Sequence, residues 1–417
     1  MLLGTQTLFN IGFYAVVPFL AVVLAQDFGL AATAIGLVLG IRTFAQQGLF
    51  LLGGALADRF GARTIILSGI ATRVAGFALL AASLAPERAM LALFVLGTVL
   101  TGLGGALFSP GLNTLIAEAE RRRPGARTTL FAWLSVTGEI GAVLGPLLGA
   151  VLLDFGFAAV AASGAAFFTA IGLLLGWLLP RSPERPRARQ SPQRGTLPKA
   201  LRDRAFFAFA ALHAVDLLAY NQLYLAVPLM LARVEAPART VALVFAWVSI
   251  LTLTAQLPLA RWSRRLGAPA ALRIAYLAST AGFAMLAVTT LVPGPNREPV
   301  VFSVATCFTL GHLLANPTAL SLVPRFAGDG ATGSYFGLLA TLGGLAVLVG
   351  GLSTGIMLDA VPARWEVLPW LALAIPPLIS ALTVPRVLRA GPHRPSAAAT
   401  FRASAELPGQ HRTAEQR

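Results

Sequence analysis

Apolar residues in this chain come in runs of about 20 or more, and that run length leaves few folds open. A helix rising about 1.5 Å per residue needs about 20 such residues to cross the hydrocarbon core of a bilayer. Twelve segments of this kind can be placed, at 5–25, 34–57, 64–84, 90–115, 129–153, 157–179, 205–231, 240–260, 270–292, 300–323, 335–358 and 367–384. Only 12% of the 417 residues are charged and 56% are hydrophobic. A soluble protein carries about a quarter charged residues, so there is too little polar surface here to wet a globule. The reading is an all-α membrane protein with twelve transmembrane helices, numbered below as segments 1 to 12.

Most connections are short. The long ones are 180–204, "PRSPERPRARQSPQRGTLPKALRDR", and the tail beyond about 389, both rich in Pro, Arg and Ser. Such composition predicts mobile chain. The expected organisation is a six-helix half at 1–180, a cytoplasmic linker at 181–204, a second half at 205–389 and a disordered cytoplasmic tail at 390–417. The net charge of +15 is topological and does not point to nucleic acid. Of the 32 basic residues, 25 fall on the side holding both termini, five on the other, and Arg42 and Arg73 lie inside helices. By the positive-inside rule both termini are cytoplasmic, in the inner or plasma membrane. The N-terminus lacks the basic leader and cleavage site of a signal peptide, and begins almost inside segment 1. Cys307 is the single cysteine, which excludes an intramolecular disulfide framework or a cysteine zinc cluster.

The two halves repeat. "AGFALLA" at 75–81 returns as "AGFAMLA" at 281–287, and Gly61–Ala62 meets Gly267–Ala268 at the same offset of 206. "GALFSPGLNTLI" aligns with "HLLANPTALSLV", "LGPLLGAVLLD" with "VGGLSTGIMLD", and "AVVPFL" with "LAVPLM", at offsets of 207, 205 and 210. Four matches in one order imply parallel six-helix pseudo-repeats, with a substrate site between them near the midplane.

With the repeat in hand, "GALADRFGAR" at 54–63 resembles the loop motif G-x-x-x-D-R-x-G of the major facilitator superfamily. "GAVLGPLLGA" at 141–150 is similar to the segment 5 motif of the drug:proton antiporters within it. Ala150 stands where that motif ends in Gly, Thr98 where the antiporters carry an arginine in segment 4, and Arg264 at the repeat position of Asp58. The resemblance implies the major facilitator fold and a conformational latch from Gly54, Asp58, Arg59, Gly61 and Arg63. In that latch the acid caps the start of segment 11 near Ser334. It also implies a cavity lined by segments 1, 4, 7 and 10. In segment 5, Gly141, Gly145 and Gly149 recur every four residues around Pro146. That spacing serves close helix packing, and equally a conformational hinge.

Polar stripes fall on three of the expected cavity helices. Segment 7 carries His213, Asp216, Tyr220 and Tyr224; segment 1 carries Asn10 and Tyr14; segment 10 carries Thr309, His312 and Asn316. Each could equally be a satisfied bond between helices. Counting along the helices puts Arg73, Glu139 and Asp216 near the midplane and Arg42 just beyond it. Charges at that depth are expensive unless paired or wetted, which makes all four candidates for proton coupling. Asp216 heads that group. Glu139 is the runner-up and could instead balance Arg73, within a structural network of two acids and two arginines. Asp27, Asp154 and Asp359 sit at helix ends and read as interfacial.

Neither G-x-x-x-x-G-K-[ST] nor H-E-x-x-H occurs, and "GLGGAL" at 102–107 misses the dinucleotide pattern at its last position. No enzyme activity, cofactor or metal is expected. An ion or substrate gradient must therefore drive transport. The expected function is proton-coupled efflux of amphiphilic or cationic small molecules by a monomer. A transporter of one metabolite, or a membrane sensor of the same fold, is the alternative.

Overall fold

The computed structural model describes residues 2–85, 88–121, 130–179, 200–233, 236–291, 297–327 and 332–390. Most of the expected linker, and the tail from 391, lie outside the described residues. All twelve segments are helical. Segment 1 runs Leu2–Val16 and Leu20–Gln26 around a 3-10 turn at Val17–Phe19; segment 2 runs Ala32–Gln47 and Phe50–Phe60. Segments 3 to 6 are Ala62–Ser83, Leu91–Arg121, Leu130–Leu153 and Phe157–Leu178. Segment 7 runs Arg204–Asn221 and Ala226–Arg233. Segments 8 to 12 are Ala238–Leu266, Ala268–Leu291, Arg297–Ala327, Thr332–Ala360 and Val367–Ala390. A two-residue ladder pairs Leu84–Ala85 with Arg88–Ala89. Ten of the described helices are long and apolar enough to cross a membrane as they stand; the described apolar part of segment 5, Thr137–Leu153, is shorter.

The packing repeats as the sequence does. Segment 3 lies on 4 and 6, segment 1 on 5 and 6, and segment 2 on 4. Adding six to each number gives the contacts of the second half: 9 on 10 and 12, 7 on 11 and 12, and 8 on 10. The halves meet where segment 2 packs on 11 and, equivalently, segment 5 on 8. Local features repeat too. Gly61 and Gly267, in the turns after segments 2 and 8, have φ of +86° and +77°. An L side chain is strained there, so both turns need glycine. Segments 1 and 7 break at matching places, next to Pro18 and ahead of Pro228, because proline lacks the N–H and crowds the carbonyl four residues earlier.

Between helices in lipid the hydrophobic effect offers little, so close packing must hold them. Glycines provide it. A Cβ on Gly141 would strike the Thr7 carbonyl, one on Gly145 would lie 2.7 Å from Tyr14 Cβ, and one on Gly149 would strike the Ala15 carbonyl. The segment 5 stripe thus presses against segment 1. At the interface between halves, a Cβ on Gly36 would meet the Gly351 carbonyl, and one on Gly40 would lie 3.0 Å from Leu348 Cα. Outward, Val151, Leu173, Trp177 and Leu257 are exposed. That surface suits lipid.

Candidate functional site

Polar residues of the two halves come near one another midway along their helices. Asp216 is 3% exposed, and its Oδ2 lies 2.9 Å from His312 Nδ1 on segment 10. A hydrogen bond joins the two, its donor set by the tautomer of the imidazole. The His312 ring stacks on Tyr220 with centroids 4.2 Å apart, which fixes its plane. Asp216 Oδ1 has no hydrogen-bond partner. Glu139, half-buried on segment 5, is an electrostatic neighbour of His312. It thereby brings a carboxylate of the first half to the pair in the second.

Tyr14 and Tyr224 occupy the same place in the two repeats, each directly before the matched "AVVPFL" and "LAVPLM". Their hydroxyls face one another across the halves. Tyr14 also neighbours both arginines, Arg42 and Arg73. Arg42 Nη2 donates to Gln46 Oε1 at 2.9 Å. The Arg73 guanidinium lies 4.1 Å from the centroid of Phe9, 4.6 Å from Phe13 and 5.5 Å from Phe168. The site is therefore bipolar, with acids and His312 towards the second half and two guanidiniums within the first.

Other candidates bond to neighbouring helices. Asn10 Nδ2 donates to the Gly138 carbonyl at 2.9 Å, tying segment 1 to segment 5. His213 Nδ1 pairs with the Tyr276 hydroxyl at 2.9 Å, inside the second half. Thr309 is fully buried, its hydroxyl without a partner, and Asn316 is half-buried. The pairing of Glu139 with Arg73 is not found: aromatic rings surround the guanidinium, while the carboxylate neighbours His312. Among the described residues no ion pair joins either arginine to an acid. The side chain of Asp58 and residue Gly54 lie outside the described side chains. Arg59 is exposed over Phe60, and Arg63 Nη2 donates to the Gly176 carbonyl at 2.7 Å. Pro146 is accommodated inside its helix.

Several contributors besides the interfacial Asp359 were not singled out from the sequence. Thr43 Oγ1 reaches Asn221 Oδ1 at 3.2 Å, and Thr341 Oγ1 reaches the Gly48 carbonyl at 3.3 Å, both across the halves. At the end away from the termini, the Asp359 carboxylate accepts from the N–H groups of Ala32 at 3.0 Å and Thr33 at 2.8 Å. It closes segment 11 onto the start of segment 2. The four-residue spacing of Arg42 and Gln46 was a readable signal; the inter-half pairs had none.

The sequence profile of the Major Facilitator Superfamily matches residues 2–351. The chain belongs to that superfamily. Among relatives within it, "Multidrug resistance protein MdtH" of Aeromonas hydrophila subsp. hydrophila is 35% identical over 369 residues, spanning 87% of this chain and 88% of that protein. The protein of the same description in Escherichia coli (strain K12 / DH10B) is 32% identical over 379 residues, spanning 90% of each. The fold of the superfamily is also seen in the crystal structure of the nucleoside transporter NupG, with a TM-score of 0.74, 18% identity, and coverage of 94% of this chain and 98% of that one. A POT family transporter in complex with 5-aminolevulinic acid gives a TM-score of 0.74 at 14% identity, covering 93% and 96%. This superfamily member is thus a multi-pass membrane transporter of small molecules.

Proposed function

We propose that the protein exports amphiphilic or cationic small molecules in exchange for protons, by alternating access between its two halves. The observation that carries this reading is the Asp216–His312 pair, buried at mid-depth with Tyr220 and Glu139 beside it. A proton held between Oδ2 and Nδ1 neutralises a charge that would otherwise be costly at that depth. Opening to one side wets the pair and lets the proton leave; opening to the other reloads it. Substrate breadth is inferred from the relatives, described as multidrug resistance proteins. The closure of segment 11 on segment 2 by Asp359 then belongs to one of two states, and the Asp58 turn latches the opposite end in the other. The remaining expectations join this proposal: a monomer, both termini cytoplasmic, an inner or plasma membrane, and halves divided at the 181–204 linker.

The test is flux in proteoliposomes, with ethidium as the probe and with or without an imposed pH gradient. Accumulation that follows the gradient and collapses with a protonophore supports exchange. Ethidium flux that ignores the gradient would replace antiport by facilitated diffusion. Absence of any flux for a panel of amphiphiles would favour a narrow metabolite carrier or a sensor.

A further inference from the structure

The arginines Arg42 and Arg73 are left with donors that nothing among the described residues satisfies. They are 6% and 1% exposed, and each neighbours the other electrostatically, so two like charges share one buried region. Arg42 Nε and both Nε and Nη1 of Arg73 lack hydrogen-bond partners. The rings of Phe9, Phe13 and Phe168 lie within reach of the Arg73 guanidinium. Cation–π contact favours the guanidinium plane but leaves its N–H edge without an acceptor. A buried donor of that kind costs free energy that an acceptor would recover.

Segment 4 makes room for this arrangement. The glycines of "GLGGAL", a motif without a nucleotide role, lie against the two arginines. A Cβ on Gly102 would strike the Arg42 carbonyl, and one on Gly105 would lie 2.6 Å from Arg73 Nη2 and 3.3 Å from Gln46 side-chain carbons. Gln46, which accepts from Arg42, therefore converges with Arg73 over Gly105. Arg42 also neighbours Tyr14 and Tyr224, one from each half. Tyr224 packs on Phe245 with centroids 4.9 Å apart, and the Arg42 guanidinium sits 4.9 Å from the Phe13 centroid.

We infer that this pair is the anion subsite of the substrate cavity and takes the carboxylate of an aromatic acid. The carboxylate matches the forked N–H edge of a guanidinium, and the body of the ligand lies on the Tyr14, Tyr224 and Phe13 rings. Arg42, beside the interface of the halves, makes the contact; Arg73, behind it, adds positive potential. The inference deepens the transport reading and rests on it only for the cavity's location. It extends the substrate class from amphiphilic cations to acids, including molecules that carry both charges.

The probe is 2-naphthoate, with neutral 2-naphthamide as its near-isostere, bound to purified full-length protein without any gradient. Saturable naphthoate binding, with the amide weaker by about tenfold or more, is the expected result. Arg42→Gln should erase that preference for the acid, and Arg42→Lys should restore part of it. Because the wild-type comparison of acid with amide needs no variant, a misfolded Arg42→Gln protein leaves the test intact. Equal binding of acid and amide overturns the inference. So does chloride at about 0.1 M abolishing naphthoate binding while thermally stabilising wild type and not Arg42→Gln, since the pair would then hold an inorganic ion. Binding as expected without gradient-driven flux would sink proton exchange and leave the subsite standing.

Discussion

Asp216 Oδ2 sits 2.9 Å from His312 Nδ1, linking segment 7 to segment 10 inside the second half. The acid belongs to a helix buried on most of its length, and the imidazole to one whose ring is held flat on Tyr220. The two side chains form one contact, so a substitution at either breaks the same bond.

Asp216→Asn should abolish ethidium flux driven by a pH gradient while leaving binding or downhill exchange in place. His312→Asn should do the same, and the double variant should be no worse than either single one. The check is proteoliposome flux for all three. Undiminished gradient dependence in Asp216→Asn would take the residue out of coupling. Glu139→Gln, which leaves that bond in place and touches it only through His312, should give the smaller loss of flux.

The Asp359 carboxylate caps the first turn of segment 2 from another helix, through Ala32 and Thr33. Asp359→Asn should weaken that closure by a few tenths to about 1 kcal/mol, since the carboxylate is largely exposed. A cysteine placed near residue 32, in a Cys307→Ser background, should then react faster with a maleimide added from that side. An unchanged rate would mean that packing alone keeps this end shut.

Gly36 lies against the backbone of Gly351, whereas a Cβ on Gly176 would meet nothing within 4 Å. Gly36→Ala should therefore force the two halves apart and cost about 1–3 kcal/mol. Gly176→Ala should be neutral or mildly stabilising, because alanine is the better helix former. Melting temperatures of the two variants in detergent decide the matter, and equal values would contradict the close approach.

Asp58→Asn should leave the protein inserted and folded and sharply reduce transport, as the loss of a latch charge requires. Arg264→Asp, at the repeat-equivalent position, should matter much less. Normal flux in Asp58→Asn would reduce the charged turn to a topological anchor.

The linker at 181–204 and both termini should label only from the cytoplasmic side. An impermeant reagent reacting with a linker cysteine in intact cells, again in a Cys307→Ser background, would overturn the assignment.

Length of apolar runs, basic residues at their ends and the near-constant offset of about 206 were enough to specify twelve helices in two parallel halves. Those features are local or additive, and lipid enforces them on each segment separately. The glycine turns at Gly61 and Gly267 were equally legible, because one backbone conformation demands one residue type. The rotation of each helix about its own axis was not. Segments 3 and 11 are apolar on nearly every face, so no polar side tells the chain which way to turn them. Only packing decides that. It turned Arg73 into three aromatic rings instead of towards Glu139, and gave His213 the Tyr276 hydroxyl as its partner. The same packing made Glu139 an electrostatic neighbour of His312 across the halves. In a low-dielectric interior such meetings cannot be read from depth along a helix, since a polar atom goes wherever the neighbouring backbone leaves room for a partner.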